Sequence, residues 1–395
     1  MYTPTKKTIT MIKRKCQSML AVLLICGINV FTACTMDNID NGVNHIENLP
    51  GKTVDLATLT ADYTAHDGDT LTGKLANPVK ITIADGACIT IDSAYINEEG
   101  TVYSEFKYAA ITCLGDATIT LSDTCEISGF HEFYPAFFVP DGHTLTFQGE
   151  GILIANGCGS SMCAAIGSVA NGEKCGNLVF LGGIIFATAG ENSAAVGSSY
   201  NSDCGDITIG GKAAVGGFGS SNSAAIGAGY YGNCGNITIV GEVDVLGASG
   251  IFGTGIGAGN HASCKAITIG ATGGLVRGIG GDDGSGIGTY GGNFSKCESI
   301  TITGGDIYAT GGFNAPAIGS GPENPYAIPI TITSGIDQII AKQGSIWADY
   351  IGAGADSSPC SVTIDGVENA TPESTFPNLE SSVRGSTWTL SPKYK

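Results

Sequence analysis

Two sets of side chains recur at a spacing that could let them act together. Tyr200 and Tyr230 each stand four residues after the Ile or Val of a recurring Ala-Ala-Ile-Gly segment; Asn260 holds the next equivalent place, and Tyr290 falls one residue short of the one after. Tyr231, His261, Phe294 and Tyr326 lie in the same loops. Aromatic rings beside amide and hydroxyl groups suit the apolar face and ring hydroxyls of sugars. Tyr200, Tyr230, Tyr231, Asn260, His261, Tyr290, Phe294 and Tyr326 are therefore the candidate carbohydrate-binding residues. The alternative is that the rings pack on one another and order the loops. The second set is Cys175, Cys204, Cys234, Cys264 and Cys297, each three residues before the first apolar residue of a strand signal. Equivalent residues on stacked turns lie within disulfide reach, yet a stack of identical positions has no natural pairing. A ladder of buried structural thiols is the expectation. Zinc would need local Cys-x-x-Cys or His partners, which are missing, so no metal site and no cofactor is expected; a calcium requirement is left open.

These positions belong to a repeat. The segments AAIGSV from Ala164, AAVGSS from Ala194, AAIGAG from Ala224, TGIGAG from Thr254, SGIGTY from Ser285, PAIGSG from Pro316 and DYIGAG from Asp349 return about every 30 residues. Each is followed by a short alternating strand signal such as Ile207-Thr-Ile209, Ile237-Thr-Ile239 or Ile267-Thr-Ile269. Apolar-Thr-apolar triplets put two side chains inward and a β-branched Thr outward. A further strand follows most of them, as in Ile184–Thr188 and Ile307–Thr310, and 61 glycines serve the corners. Units that cannot bury an apolar face alone must stack. With no sustained helical periodicity, the expected fold is all-β: a right-handed parallel β-helix of about 30 residues per turn with atypical end caps. About ten turns at ~4.8 Å spacing would make a rod on the order of 50 Å long.

The N-terminus reads as an export signal. Lys6, Lys7, Lys13, Arg14 and Lys15 precede an apolar run from Met19 to Phe31, then Thr32-Ala33-Cys34. A charged segment, a short apolar run and small residues at the cut describe a secretory signal, too short for a membrane span. The cut site resembles the lipobox of bacterial lipoproteins, with Phe31 where Leu is usual, and Met11 is an alternative start. That resemblance implies that Cys34 carries lipid. Removing residues 1–33 takes away five basic residues and no acid, so the formal charge falls from −18 to −23. Such an excess repels nucleic acid and anionic membranes, so a nucleic-acid partner is excluded and membrane contact is expected only through the anchor. The expected organisation is signal 1–33, tether 34–52, N-terminal cap and irregular turns 53–160, regular turns 161–366 and C-terminal cap 367–395, in a monomer.

The series Cys-Gly-Asn-Ile-Thr-Ile, Gly-Gly-x-Ile-x-Ala-Thr-Gly-Gly and Ala-Ala-Ile-Gly-x-Gly, after the lead-in Asp67-Gly-Asp-Thr-Leu-Thr-Gly73, resembles the repeat-rich carbohydrate-binding-domain surface lipoproteins of Gram-negative anaerobes, which are similar to pectate-lyase-like β-helices. The resemblance covers about residues 53–395 and implies an outer-membrane, cell-surface glycan-binding or adhesin-like role. Polysaccharide lyases and polygalacturonase-type hydrolases share this architecture. Gly281-Asp282-Asp283-Gly284 matches a hydrolase element in letters, but no Asn-Thr-Asp, Gly-His-Gly or Arg-x-Lys element accompanies it. General acid and base need paired carboxylates, and a lyase needs a cationic base; Arg277 is the sole arginine of the repeats, and His45, His66, His131, His143 and His261 are scattered. The expectation is a non-enzymatic glycan binder, with an adhesive rod and a polysaccharide-cleaving enzyme as the alternatives. For the anchor, Cys34→Ser should yield unlipidated protein that leaves the membrane fraction; fractionation and mass measurement check it, and unchanged membrane partition contradicts it.

Overall fold

Each repeat becomes three short strands because its apolar residues alternate and its glycines turn the corners. The computed structural model describes residues 51–97, 100–157, 162–292 and 294–393; the signal segment, Cys34 and most of the tether lie outside them. Within them the chain is an all-β parallel solenoid of about nine turns with roughly 30 residues per turn. The Ala-Ala-Ile-Gly strands form an 11-stranded parallel sheet, and the other two strands of each turn join a 22-stranded one.

Register is set by three apolar ladders. In the first, Ile81, Ile111, Phe137, Ile166, Val196, Ile226, Ile256, Ile287, Ile318 and Ile351 pair in succession. Two segments that depart from the motif, Ala109-Ala-Ile-Thr-Cys113 and Pro135-Ala-Phe-Phe138, thus belong to the same stack as the regular copies. A second ladder runs Phe147, Phe180, Ile209, Ile239, Ile269, Ile302, Ile332, Ile364. A third runs Leu153, Ile185, Val215, Val245, Val276, Ile307, Ile339. All three are buried and form one continuous core. A slip of one residue would turn each ladder out to solvent, so burial fixes the register of every strand.

The glycine of the motif has a steric cause. Gly197, Gly227, Gly257 and Gly288 sit at φ between +131° and +137°. A Cβ on any of them would lie 1.9–2.0 Å from the carbonyl oxygen of the glycine on the next turn. No side chain fits there, whatever its chemistry.

Both ends are closed by structure that does not repeat. At the N-terminal end Thr53–Asp55 pairs with Thr70–Lys74, and a short 3-10 helix, Leu56–Thr58, buries Leu56. Asp69 ties this end together by accepting from the Lys52 and His66 amides at 3.0 Å and the Tyr63 hydroxyl at 2.6 Å. Burial opposes ionisation of Asp69, but these donors hold its carboxyl below the usual range. At the other end Thr387–Pro392 runs antiparallel to Ile336–Lys342 and to Leu379–Arg384. Trp388 seals it, buried near Tyr350 and Phe376, with Nε1 donating to Ser381 Oγ at 2.7 Å. Reversing strand direction covers an edge that would otherwise template another chain.

Alternation makes a direct test. Ile237 is fully buried and Thr238, the next residue, is partly exposed. Ile237→Asp leaves an unpartnered charge in the core and should cost about 3–5 kcal/mol, while Thr238→Asp should cost less than about 1 kcal/mol. Chemical denaturation of the two variants checks it, and equal losses contradict the assignment.

Candidate functional site

The loop that leaves each Ala-Ala-Ile-Gly strand turns through one left-handed residue: Asn171, Asn201, Tyr231 and His261 on four successive turns, at φ between +50° and +58°. On the first two turns the corner carries an amide pair, Asn201 donating to Asn171 at 3.0 Å. On the next two it carries rings. Tyr231 and His261 lie 4.8 Å apart, and Phe294 stacks on His261 at 4.9 Å with 18° between planes. Tyr230 lies 4.2 Å from Tyr231, and Tyr200 reaches both, at 5.8 and 6.3 Å. Five rings thus make one unbroken row over four turns, in which Tyr231 and Phe294 are exposed, Phe294 at 60%. A hydrogen bond with the Tyr231 hydroxyl, then burial, raises the Tyr230 phenol above its usual range.

Three candidates lie elsewhere. Asn260 donates to Asn222 Oδ1 at 3.3 Å and continues a polar ladder in which Asn222 donates to Asn192 at 3.0 Å. Tyr290 packs edge-on against Phe252 at 6.3 Å, and Tyr326 lies under the Lys296 ammonium at 4.1 Å. From Tyr230 and Tyr231 the row continues through His261 and not through Asn260, because His261, like Tyr231, holds the left-handed corner.

The cysteines stack. Cys175 pairs with Cys204, Cys234 with Cys264 and Cys264 with Cys297, and the Asp203–Asn233 bridge puts Cys204 beside Cys234. All five are buried free thiols. Burial holds Cys175 well above the ordinary thiol value, and hydrogen bonding to Cys204 and Cys297 does the same to Cys234 and Cys264. Cys204 accepts from the thiols on both sides, which favours its thiolate over the others.

Asp282, Asp283 and Glu323 lie close enough to interact, while the histidines and Arg277 stand apart from them. Asp283 is raised by burial and by the Asp282 and Glu323 charges, and Tyr290 by burial and by Asp283 and Glu323. Arg277 stacks over Tyr308 at 5.9 Å. His131 accepts from the Phe133 amide at 3.2 Å, His143 lies 3.5 Å from Asp116, and His261 belongs to the ring row. Among the described residues no group of three or more His, Cys, Asp or Glu side chains is placed to hold a metal ion. In the same residues no helix is long and apolar enough to cross a membrane.

Sequence reasoning passed over a second set of exposed rings. Phe313 and Trp347 lie in the loops that enter the motif, Gly312-Phe-Asn-Ala315 and Gly344-Ser-Ile-Trp-Ala348, where earlier copies carry Glu191-Asn192, Ser221-Asn222, the exposed pair Ile251-Phe252, and Asp282-Asp283. No family model, curated protein or solved structure matches the chain.

The thiol column predicts its own labelling pattern. Cys88 is exposed and serves as the internal reference. Alkylation of the native protein should modify Cys88 and spare Cys175, Cys204, Cys234, Cys264 and Cys297; denaturation without reductant should then expose all five to reagent. Peptide mass spectra dominated by bridges between neighbouring members would contradict it.

Proposed function

We propose that this protein is a non-catalytic glycan-binding lipoprotein, exported and held at the cell surface through Cys34, that binds an extended polysaccharide along one side of the solenoid. The observation that carries the reading is the row of Tyr200, Tyr230, Tyr231, His261 and Phe294, continuous over successive turns, with Tyr231 and Phe294 exposed and the other three half-buried. Its rings repeat at 4.8–4.9 Å between Tyr231, His261 and Phe294, close to the rise of one pyranose in an extended chain. Because these rings lean on one another, they turn edges, hydroxyls and an imidazole outward, which suits hydrogen bonding to sugar hydroxyls. A formal charge of −18 further supports a neutral ligand over a uronate or a nucleic acid. The anchoring part of the proposal rests on Thr32-Ala33-Cys34, outside the described residues.

Titration calorimetry against neutral oligosaccharides of increasing length tests it. Affinity should rise with length until the row is covered. Tyr231→Ala should weaken binding about three- to tenfold, roughly 1 kcal/mol, and Tyr231→Phe, which removes only the hydroxyl, by a similar factor. The combined change at Tyr200, Tyr231 and Phe294 should abolish binding and leave the unfolding temperature within a few degrees, since these loops lie outside the core. A glycan bound equally by wild type and triple variant removes this row from consideration.

A further inference from the structure

Where the chain enters each Ala-Ala-Ile-Gly strand it passes a second left-handed corner, held by Asn192, Asn222, Phe252, Asp283 and Asn314 at φ between +58° and +62°. The backbones here are in contact: a Cβ on Gly312 would lie 1.6 Å from the Gly281 oxygen, and one on Gly344 1.5 Å from the Gly312 oxygen. Such close stacking leaves no room inward, so the side chains after each glycine stand out from the surface. On the last two turns these are Phe313 and the pair Ile346-Trp347, exposed by 60%, 82% and 73%. Between them opens a cleft of about 370 Å³, lined by Phe313, Asn314, Trp347, Ala355 and Asp356.

The lining is chemically specific. Trp347 and Phe313 have no ring partner among the described residues, so their faces are free, unlike those of the stacked row. Asn314 is fixed on both sides: its Oδ1 accepts the Ser345 hydroxyl at 3.2 Å, and its carbonyl accepts the Ala355 amide at 3.0 Å. Its side-chain NH2 has no protein acceptor among the described residues and remains a donor on the cleft wall. Asp356, at φ +55°, adds an exposed carboxylate acceptor. No Lys or Arg lines the cleft. Its volume lies at the low end of the roughly 300–1,000 Å³ usual for ligand pockets, room for one small ring.

We infer that this cleft is a separate sugar subsite that takes one neutral pyranose, its apolar face on the Trp347 indole and its hydroxyls on the Asn314 amide and the Asp356 carboxylate. Charge complementarity makes the choice: a carboxylate with no cation beside it accepts a hydroxyl and repels a uronate or a sulfated sugar. The inference extends the glycan reading above, but it concerns different residues and is read by a different signal.

The chain has two tryptophans, and the other, Trp388, is 1% exposed, so solvent-sensitive fluorescence reports on Trp347. The full mature protein is titrated with the methyl glycosides of glucose, galactose and mannose and with the corresponding methyl uronosides, following emission and acrylamide quenching. At least one neutral glycoside should shift the emission to the blue and protect against acrylamide in a saturable way, while the uronosides should not. Asn314→Ala should weaken that response about fivefold, the loss of one hydrogen bond, and Asp356→Asn should admit the uronoside. Trp347→Phe should remove the signal without changing the unfolding temperature. Tyr231→Ala, in the ring row, should leave the Trp347 response intact. Long oligosaccharides bound by the row with no Trp347 response overturn the cleft alone, and a Trp347 response without row binding supports the cleft while removing the row. Equal response to neutral and acidic glycosides, or a blue shift produced by raising protein concentration in the absence of sugar, overturns it.

Discussion

The contact on which this structure depends is backbone against backbone at the centre of the Ala-Ala-Ile-Gly strand. Gly227 lies so close to the carbonyl of Gly257 that a methyl group would sit 2.0 Å from that oxygen, and the same holds at Gly197 and Gly257. Small residues around it, such as the buried Ala224 and Ala225, keep this side of the turn thin. The larger Ile and Val side chains of the other strands then fill the interior from across the turn, and Ile237 reaches within 3.1 Å of where a Gly227 Cβ would be. Apolar volume and backbone approach are therefore coupled: enlarging the glycine column would push the sheets apart and open voids in a core that depends on dense packing.

Stacking at fixed register also governs the surface. Any side chain outside the core recurs one strand spacing away on the next turn, so polar residues find their own kind. Asn201 bonds to Asn171, Asn222 to Asn192 and Asn233 to Asp203, the last at 2.8 Å. The same rule turns rings at the Tyr231 and His261 corner into a row and thiols at the Cys204 corner into a column. Each ladder needs only that neighbouring turns carry compatible residues, which is why its chemistry changes along the axis while the core does not.

How much of this could be read from the chain follows from what residue type alone encodes. The period, the three strands and the inward Ile residues were legible, because alternation and recurrence are properties of apolar pattern. The thiol column was legible in position from the constant three-residue offset to the strand. The ring row was legible only in part: Tyr230 and Asn260 fit the offset counted from the motif, but Tyr231 and His261, named only as members of the same loops, occupy the left-handed corner. A corner held by Asn171, Asn201, Tyr231 and His261 has no common residue type to announce its positive φ. Phe313 and Trp347 were illegible for a related reason. Their exposure follows from glycine stacking between turns, a contact between residues far apart in sequence.

On the proposed reading the two aromatic surfaces would meet a glycan differently, and the geometry of their rings would decide how. In the row, His261 and Phe294 lie nearly parallel at 18°, and Tyr230 and Tyr231 at 33°, so the facing sides of these ring pairs cover each other. A face covered by a neighbour cannot stack on a sugar, so the row offers hydroxyls, an imidazole, ring edges and the exposed end ring Phe294. Under the proposed function such a surface would read hydroxyls along a polymer and gain from length. Trp347 and Phe313 keep their faces, beside one amide donor and one carboxylate acceptor, and so are suited to hold a single ring firmly. A row that recognises repetition, followed along the axis by a cleft that recognises one unit, would orient a polymer as well as retain it. Neither surface disturbs the glycine column beneath, and their chemistry can differ from turn to turn at no cost to the core.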